Sequence, residues 1–144
     1  MSDMYPRLRL WGESFSPSAA EKRTGIVFDV KNEPGEIART GRYRNRPSPY
    51  GSAIIKFEDD RSSCDPLSAQ SLNILIKNIQ TFREAGATTI VLHCDVAYLD
   101  QCNLEMSPGF LAAIARLEIP FTISCSQDDS VEIDDIQTDQ DAST

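Results

Sequence analysis

The chain has 144 residues and a formal net charge of −8, with 40% hydrophobic and 25% charged residues; these are the proportions of one soluble globular domain. No apolar run approaches the ~20 residues that a membrane span requires, and the N-terminus lacks the basic and apolar regions of a secretory signal. Composition therefore disfavours a membrane protein and predicts a cytoplasmic one.

The negative charge is concentrated at the C-terminus. Of the 22 acidic residues, seven lie within residues 127–144, where there is no Lys or Arg, which leaves 15 acidic against 14 basic residues in the rest. A short polar segment without aromatic residues does not bury enough apolar surface to offset the entropy lost on ordering. We predict one domain over residues 1–126 and a disordered acidic tail over residues 127–144. The tail residues expected to face a partner are Asp128, Asp129, Glu132, Asp134 and Asp135.

The first half of the chain predicts a strand, a helix and two further strands. Residues 8–11 alternate Leu with Arg or Trp, which is typical of a strand with one buried face. Ser16-Pro17 has the pattern of a helix cap followed by proline at the first helical position, and Gly25 marks the end of that helix. The next strands are predicted over residues 26–30 and 52–57.

The second half predicts two helices and the remaining strands. Asp65-Pro66 has the same cap pattern, and an apolar stripe at 3.6-residue spacing indicates a long helix that ends at Gly86. Ser107-Pro108 begins the third helix. Strands are predicted over residues 88–94, 101–105 and 121–125.

Two segments share one supersecondary plan, which suggests the fold. LRLWGESFSPSAAEKRTGIVFDV and CNLEMSPGFLAAIARLEIPFTIS both contain a strand, Ser-Pro, a helix and then Ile-x-Phe-x-(Val or Ile). Two strand–helix–strand units joined by a further strand and a long helix predict an α+β fold. We expect a mostly antiparallel sheet with about three helices on one face, in a ferredoxin-like or related two-layer sandwich.

His93, Cys94 and Asp95 form the local cluster that suggests nucleophilic catalysis. On a strand, His93 and Cys94 point to opposite faces, so an enzyme would need Cys102 or Cys125 beside His93. No nucleotide-binding or catalytic-metal motif occurs in the sequence. We predict no catalytic residue, no cofactor and no metal site; a small enzyme that pairs His93 with a cysteine is retained as an alternative.

The four cysteines lack the close spacing of zinc or redox sites. Cys94 and Cys125 lie in strand-like runs, and we expect both to be small buried apolar residues. A cytoplasmic location argues against a disulfide bond, without excluding one.

The segment GRYRNRPSPYG, residues 41–51, carries arginine at alternate positions and follows a further arginine. In an extended conformation its arginines share one face, and a basic strip with an interleaved tyrosine is one footprint of nucleic-acid binding. The sequence pI of 4.6 and the acidic tail disfavour that function. The other hypotheses are docking of the tail on these arginines and, favoured here, loop pinning by guanidinium hydrogen bonds. The residues with a partner-binding or loop-pinning role are Arg39, Arg42, Tyr43, Arg44, Arg46 and Tyr50.

The order Leu10-Trp11-Gly12, Phe15-x-Pro17, a short helix, a basic segment with glycine, a strand, a long amphipathic helix and QCNLEMSPGFLAAIARLEIPFTIS resembles a bacterial domain-of-unknown-function family, number 4279 in its series. The resemblance covers about residues 7–126. It departs from the family in SAIIKFED, which lacks the tryptophan usual in that strand. The family has no established catalytic residues, and the resemblance implies a small bacterial domain that binds another protein, as immunity proteins do when they neutralise a cognate toxin.

We therefore expect a non-enzymatic, cytoplasmic protein-interaction domain, most concretely an immunity-type inhibitor that binds and neutralises a toxin. The acidic tail favours a basic toxin, because opposite charges speed the encounter of two proteins. The alternatives are the enzyme that uses His93 and a nucleic-acid binder that uses the Arg39–Arg46 loop. Nucleic acid is disfavoured as a partner, and no membrane partner is expected.

Overall fold

The computed structural model of the protein describes residues 3–39, 41–58 and 64–128. Hydrogen bonding defines eight elements in these residues. In chain order they are β1 (Asp3–Gly12), α1 (Pro17–Thr24), β2 (Val30–Asn32), β3 (Gly51–Lys56), α2 (Ala69–Glu84), β4 (Thr89–Tyr98), α3 (Pro108–Leu117) and β5 (Phe121–Gln127).

The five strands form one sheet in the order β2-β3-β1-β4-β5. Neighbouring strands are antiparallel, except β4 and β5, which are parallel. β1 and β2 therefore run in the same direction on either side of β3, and β3 and β4 do so on either side of β1. This is the split β-α-β arrangement of a ferredoxin-like fold, extended at one edge by α3 and β5. It confirms the predicted α+β sandwich.

The hydrophobic core lies between one face of the sheet and the three helices. Leu8 and Leu10 of β1 are fully buried, with 0% exposure, and they belong to the same cluster as Leu75 of α2 and Phe110 of α3. α1 adds Ala20 to this cluster. Since the buried side chains of all three helices belong to one cluster, the helices cover a single face of the sheet, as predicted.

The second helix begins later than its sequence pattern predicts. Ser68, and not Asp65, is its N-cap, and the Ser68 side chain accepts a hydrogen bond from the backbone of Ser71. The Asp65 carboxylate instead accepts two hydrogen bonds of 2.7 Å from Ser107, one from its backbone N–H and one from its hydroxyl. The prediction of a cap at Asp65-Pro66 is wrong because this carboxylate is already bound to the residue that caps α3.

Two predicted strands also differ from the structure. The strand expected over residues 26–30 begins only at Val30, because the Phe28 N–H donates to the carboxylate of Glu21 and not to a neighbouring strand. Phe28 nevertheless reaches the core, with 5% exposure. Residues 101–105 form no strand; they belong to an irregular connection between β4 and α3.

Glu21 connects α1 to the short edge strand β2. One oxygen of its carboxylate accepts the hydrogen bond from Phe28, and the other forms an ion pair with Lys31 of β2. The hydrogen bond from Lys31, followed by that from Phe28, lowers the pKa of Glu21 below its ordinary value. The carboxylate is therefore stabilised in its ionised form by the folded structure.

Replacing Glu21 with Gln should lower the free energy of unfolding at neutral pH by about 1 kcal/mol, because a charged acceptor is lost. The native pKa lies below that of the unfolded chain, so the contribution is complete above about pH 4.3 and is lost as the pH falls through the native pKa. Urea unfolding of both proteins between about pH 7 and pH 3 tests this. The exposed Glu105→Gln variant is the control, and a constant difference at all pH values contradicts the prediction.

The start of β3 packs tightly against the turn that follows β1. A Cβ atom on Gly51 would lie 1.8 Å from the carbonyl oxygen of Phe15, and one on Gly12 would lie 2.2 Å from the carbonyl oxygen of Gly86. Both distances are far shorter than any contact between non-bonded atoms. Glycine at position 51 therefore permits the turn after β1 to lie directly against the start of β3, and glycine at position 12 permits the turn after α2 to lie against the end of β1.

Gly51→Ala should lower the free energy of unfolding by about 1–3 kcal/mol or more, because the added methyl group meets backbone that moves only with the turn. Gly109→Ala is the matched control: the nearest atom to its added Cβ is 3.9 Å away, and alanine favours the helix by up to about 1 kcal/mol. Thermal unfolding compares the two. An equal melting temperature for both variants would contradict the tight contact at Gly51.

Candidate functional site: the open face of the sheet

We call the face of the sheet opposite the core the open face. Its side chains alternate with the buried ones along each strand, and the strand register places them side by side. They are Asp3, Tyr5, Arg7, Arg9 and Trp11 of β1, Val30 and Asn32 of β2, Ser52, Ile54 and Lys56 of β3, Thr89, Val91, His93, Asp95 and Ala97 of β4, and Thr122, Ser124 and Ser126 of β5.

The central strand makes the open face basic and carries the single tryptophan of the chain near its end. Arg7 on the central strand lies opposite Lys56 on one side and His93 on the other. The Arg9 guanidinium carbon lies 5.5 Å from the centroid of the Trp11 ring, close enough for a cation–π interaction. Cationic and aromatic groups are thus adjacent on a surface that no helix among the described residues covers.

A groove with a volume of about 530 Å³ lies where β1 ends. Strand residues form one part of its wall, and the loop between β2 and β3 forms the other. Its lining includes Arg9, Trp11, Val30, Ile54, Gly41 and Tyr50. The groove therefore joins the open face and the arginine-rich segment into one continuous surface.

The arginine-rich segment is not extended, contrary to one of the sequence hypotheses. The Arg44 N–H donates to the Gly41 carbonyl and the Arg46 N–H to the Tyr43 carbonyl, which fold these residues into consecutive turns. Asn45 has a φ of 65°, in the left-handed region that asparagine tolerates better than most residues. The arginines therefore do not form a strip on one face of a strand. We call residues 41–50 the Arg-rich turn.

Backbone hydrogen bonds hold the Arg-rich turn in place. The Ala38 N–H donates to the Arg46 carbonyl at 3.0 Å, and the Asn45 N–H returns a bond to the Ala38 carbonyl at 2.8 Å. The buried Ser48 fixes the other end of the turn: its N–H donates to the backbone carbonyl of Glu36, and its hydroxyl donates to the Tyr50 carbonyl. Backbone hydrogen bonds therefore pin the Arg-rich turn, and the pinning role assigned to the guanidinium groups stays a prediction.

The arginine side chains themselves are exposed. Arg42 lies 5.8 Å from the Tyr43 ring, which meets the Tyr50 ring edge-on at 5.9 Å. Arg46 donates one long hydrogen bond of 3.4 Å to the Arg42 carbonyl. Neither these two nor Arg39 and Arg44 form an ion pair with any residue that the structure describes. Their charges are therefore available to a partner as far as the described residues are concerned.

Charge is unevenly distributed over the described residues. The open face and the Arg-rich turn hold six basic residues against Asp3 and Asp95, and Glu13 adds a third acid at the rim of the groove. The other described residues hold seven basic and eleven acidic ones. An acidic protein therefore presents one basic surface.

His93 is held between two partners on the open face. Its Nε2 lies 3.0 Å from an oxygen of Asp95, and its Nδ1 lies 2.6 Å from the hydroxyl oxygen of Thr122. The second oxygen of Asp95 is 3.2 Å from Arg7. Carboxylate, imidazole and hydroxyl stand in the order that activates a hydroxyl in hydrolases, but on a sheet surface and outside the groove. The network connects β1, β4 and β5.

The structure does not place a cysteine beside His93. Cys94 is 1% exposed on the core face, and Cys102 and Cys125 contact each other. Both ring nitrogens of His93 are occupied by other groups, so the described residues lack the pair that the enzyme hypothesis requires. Cys125 is exposed; the prediction that it is buried is wrong, because β5 is an edge strand whose side chains are largely uncovered.

Only part of the predicted acidic tail belongs to the described residues. β5 continues to Gln127, and the Asp128 N–H donates to the Tyr98 carbonyl at 2.8 Å. The other predicted partner-facing acids, Asp129, Glu132, Asp134 and Asp135, lie outside the described residues. Within the described ranges there is no group of three His, Cys, Asp or Glu side chains suited to a metal ion, and no helix is long and apolar enough to cross a bilayer.

The sequence pointed to the Arg-rich turn but not to the open face as a binding surface. Alternation along β1 predicted that Arg7 and Arg9 lie on its wetter side. The signal for a site was missing because Lys56 and His93 become neighbours of Arg7 only through the strand register.

Comparisons with known proteins give no match. No family model matches this chain, and neither a curated protein nor a solved structure does. The resemblance to the domain-of-unknown-function family therefore stays a prediction.

His93 is the single histidine of the chain, so its reactivity is measured directly with diethyl pyrocarbonate. We expect slow modification, because both ring nitrogens are hydrogen-bonded and the side chain is 13% exposed. Asp95→Ala should accelerate it about fivefold, the factor for one lost hydrogen bond of about 1 kcal/mol. Asp100→Ala, at an exposed position outside the network, is the control. Equal rates in wild type and Asp95→Ala would refute the network.

Proposed function

We propose that this chain is a non-enzymatic protein-interaction domain, most concretely an immunity-type inhibitor that binds and neutralises a cognate toxin. In this proposal the open face and the Arg-rich turn contact the partner. The observation that carries it is an uncovered sheet face continuous with exposed guanidinium groups that no described carboxylate neutralises.

The residue types on this surface support a protein partner. Trp, Tyr and Arg are enriched among the residues that dominate binding energy in protein interfaces. Trp11, Arg9 and Tyr50 line one groove, and Arg42 and Tyr43 stand beside it. A partner side chain that enters the groove would be enclosed by apolar surface while its neighbours meet the arginines.

Charge specifies the partner surface that fits. Six basic residues against three acidic ones favour a partner that presents Asp and Glu here, because complementary potentials exclude wrong partners and speed encounter. The acidic tail would meet a basic region of the same toxin, as its sequence predicts. The basic surface and the acidic tail of this chain would then bind separate acidic and basic patches of one toxin.

The test is recovery of a partner with tagged protein from the native host, followed by a growth assay with that partner. We expect one stoichiometric protein whose toxicity is suppressed by co-expression. Arg9→Glu combined with Arg44→Glu should weaken binding at least about tenfold, or about 1.4 kcal/mol. Lys22→Glu with Lys77→Glu, an equal charge change on α1 and α2, is the matched control. Equal loss in both double variants would contradict binding through the open face.

Nucleic acid is the second candidate, because aromatic rings beside arginines stack on bases while the arginines contact phosphate. Fluorescence anisotropy with a single-stranded oligonucleotide separates the two functions. Two results together would favour nucleic-acid binding over protein binding. The first is strongly salt-dependent oligonucleotide binding that disappears in Arg9→Glu/Arg44→Glu, and the second is the absence of any protein complex that survives nuclease treatment.

A further inference from the structure

Cys102 and Cys125 form a second feature, separate from the open face. The Cys102 thiol donates to the Cys125 sulfur, with the two Sγ atoms 3.2 Å apart. Cys125 lies on the edge strand β5, where the register places it beside Val96 on the core side of the sheet. Cys102 lies in the irregular connection between β4 and α3. The pair therefore joins two segments that are 23 positions apart in the chain.

Both segments are fixed close to the two thiols. The Gln127 side chain donates to the Leu99 carbonyl at 3.0 Å, and Ser107 is bound by Asp65. A disulfide bond requires the sulfurs to approach to about 2.05 Å. The remaining approach of about 1 Å is smaller than the displacement that rotation about χ1 gives a sulfur atom.

The other two cysteines have different surroundings. Cys94 is buried against the core, and Cys64 is exposed without a thiol contact among the described residues. The four cysteines thus comprise one inaccessible thiol, one isolated accessible thiol and one accessible pair.

We propose that Cys102 and Cys125 are a redox modification site, at which a small-molecule disulfide such as glutathione disulfide is reduced and the two thiols are oxidised to an intramolecular disulfide bond. The site lies on the core side of the sheet at its β5 edge. It is independent of the protein-binding function proposed above.

The reaction proceeds by two thiol–disulfide exchanges. The deprotonated Cys125 sulfur attacks one sulfur of glutathione disulfide, the S–S bond breaks, and one glutathione leaves as a thiolate that takes up a proton. Cys102 then loses its proton to solvent and attacks Cys125, which releases the second glutathione. Two protein thiols and one glutathione disulfide give one protein disulfide and two glutathione thiols.

The order of attack follows from the surroundings of the two thiols. The hydrogen bond to Cys125 raises the pKa of Cys102 above its ordinary value, which disfavours Cys102 as the first nucleophile. Cys125 is also the more exposed of the pair. Cys125 is therefore the attacking residue and Cys102 the resolving one.

The test uses the full-length Cys64→Ser protein, in which the isolated accessible thiol is absent. After incubation with glutathione disulfide, denaturing thiol titration should find one remaining thiol, and the intact mass should fall by two hydrogen atoms. Peptide mapping should join residues 102 and 125. The melting temperature should rise by roughly 10 °C, because the bond restrains the unfolded chain, and dithiothreitol should reverse the rise.

Cys102→Ser in the same background is the discriminating variant. It should stop at a stable mixed disulfide that carries one glutathionyl group on Cys125, whereas Cys94→Ser should still form the cross-link. Three unmodified thiols after oxidation, a link that includes Cys94, or a persistent mixed disulfide with Cys102 present would overturn the proposal. Arg9→Glu/Arg44→Glu should oxidise like wild type, so failure of the redox site and failure of the proposed partner surface are distinguishable.

Discussion

The central strand β1 is the constraint on which the rest of the structure depends. It pairs along both edges, with β3 and with β4, and its side chains alternate between two environments. Burial of Leu8 and Leu10 contributes about 1.5–3 kcal/mol for each side chain, and this fixes which face meets the helices. Because side chains alternate along a strand, Arg7, Arg9 and Trp11 must then lie on the opposite, open face. The basic surface of this acidic protein is therefore a geometric consequence of its core.

Local sequence signals predicted local structure well. Ser16 and Ser107 cap helices because a cap needs only the backbone N–H groups of the next turn. Asp65 failed as a cap because its partner, Ser107, lies 42 positions away, and no local pattern contains that information. The predicted second strand failed for a different reason: Glu21, seven positions earlier in the chain, takes the Phe28 N–H from the sheet.

The candidate site was less predictable than the fold because it depends on which side chains become neighbours in space, and not on residue types alone. The Arg-rich turn was visible in the sequence, but its conformation follows from Gly41, Asn45 and the backbone pairing with Ala38. The position of Lys56 beside Arg7, and of Thr122 beside His93, requires the strand order and the register. Net charge was misleading in the same way, because it sums over surfaces that the fold separates.

The contact between Gly51 and Phe15 has a consequence for recognition. It fixes the point at which the Arg-rich turn joins the sheet, while the buried Ser48 secures the same end of the turn through its bond to the Tyr50 carbonyl. A loop that is already ordered loses little conformational entropy when it is bound. The unfavourable ordering term in the binding free energy is therefore smaller, and the affinity is higher. The glycine that admits a neighbouring carbonyl oxygen thus preorganises arginines several residues away.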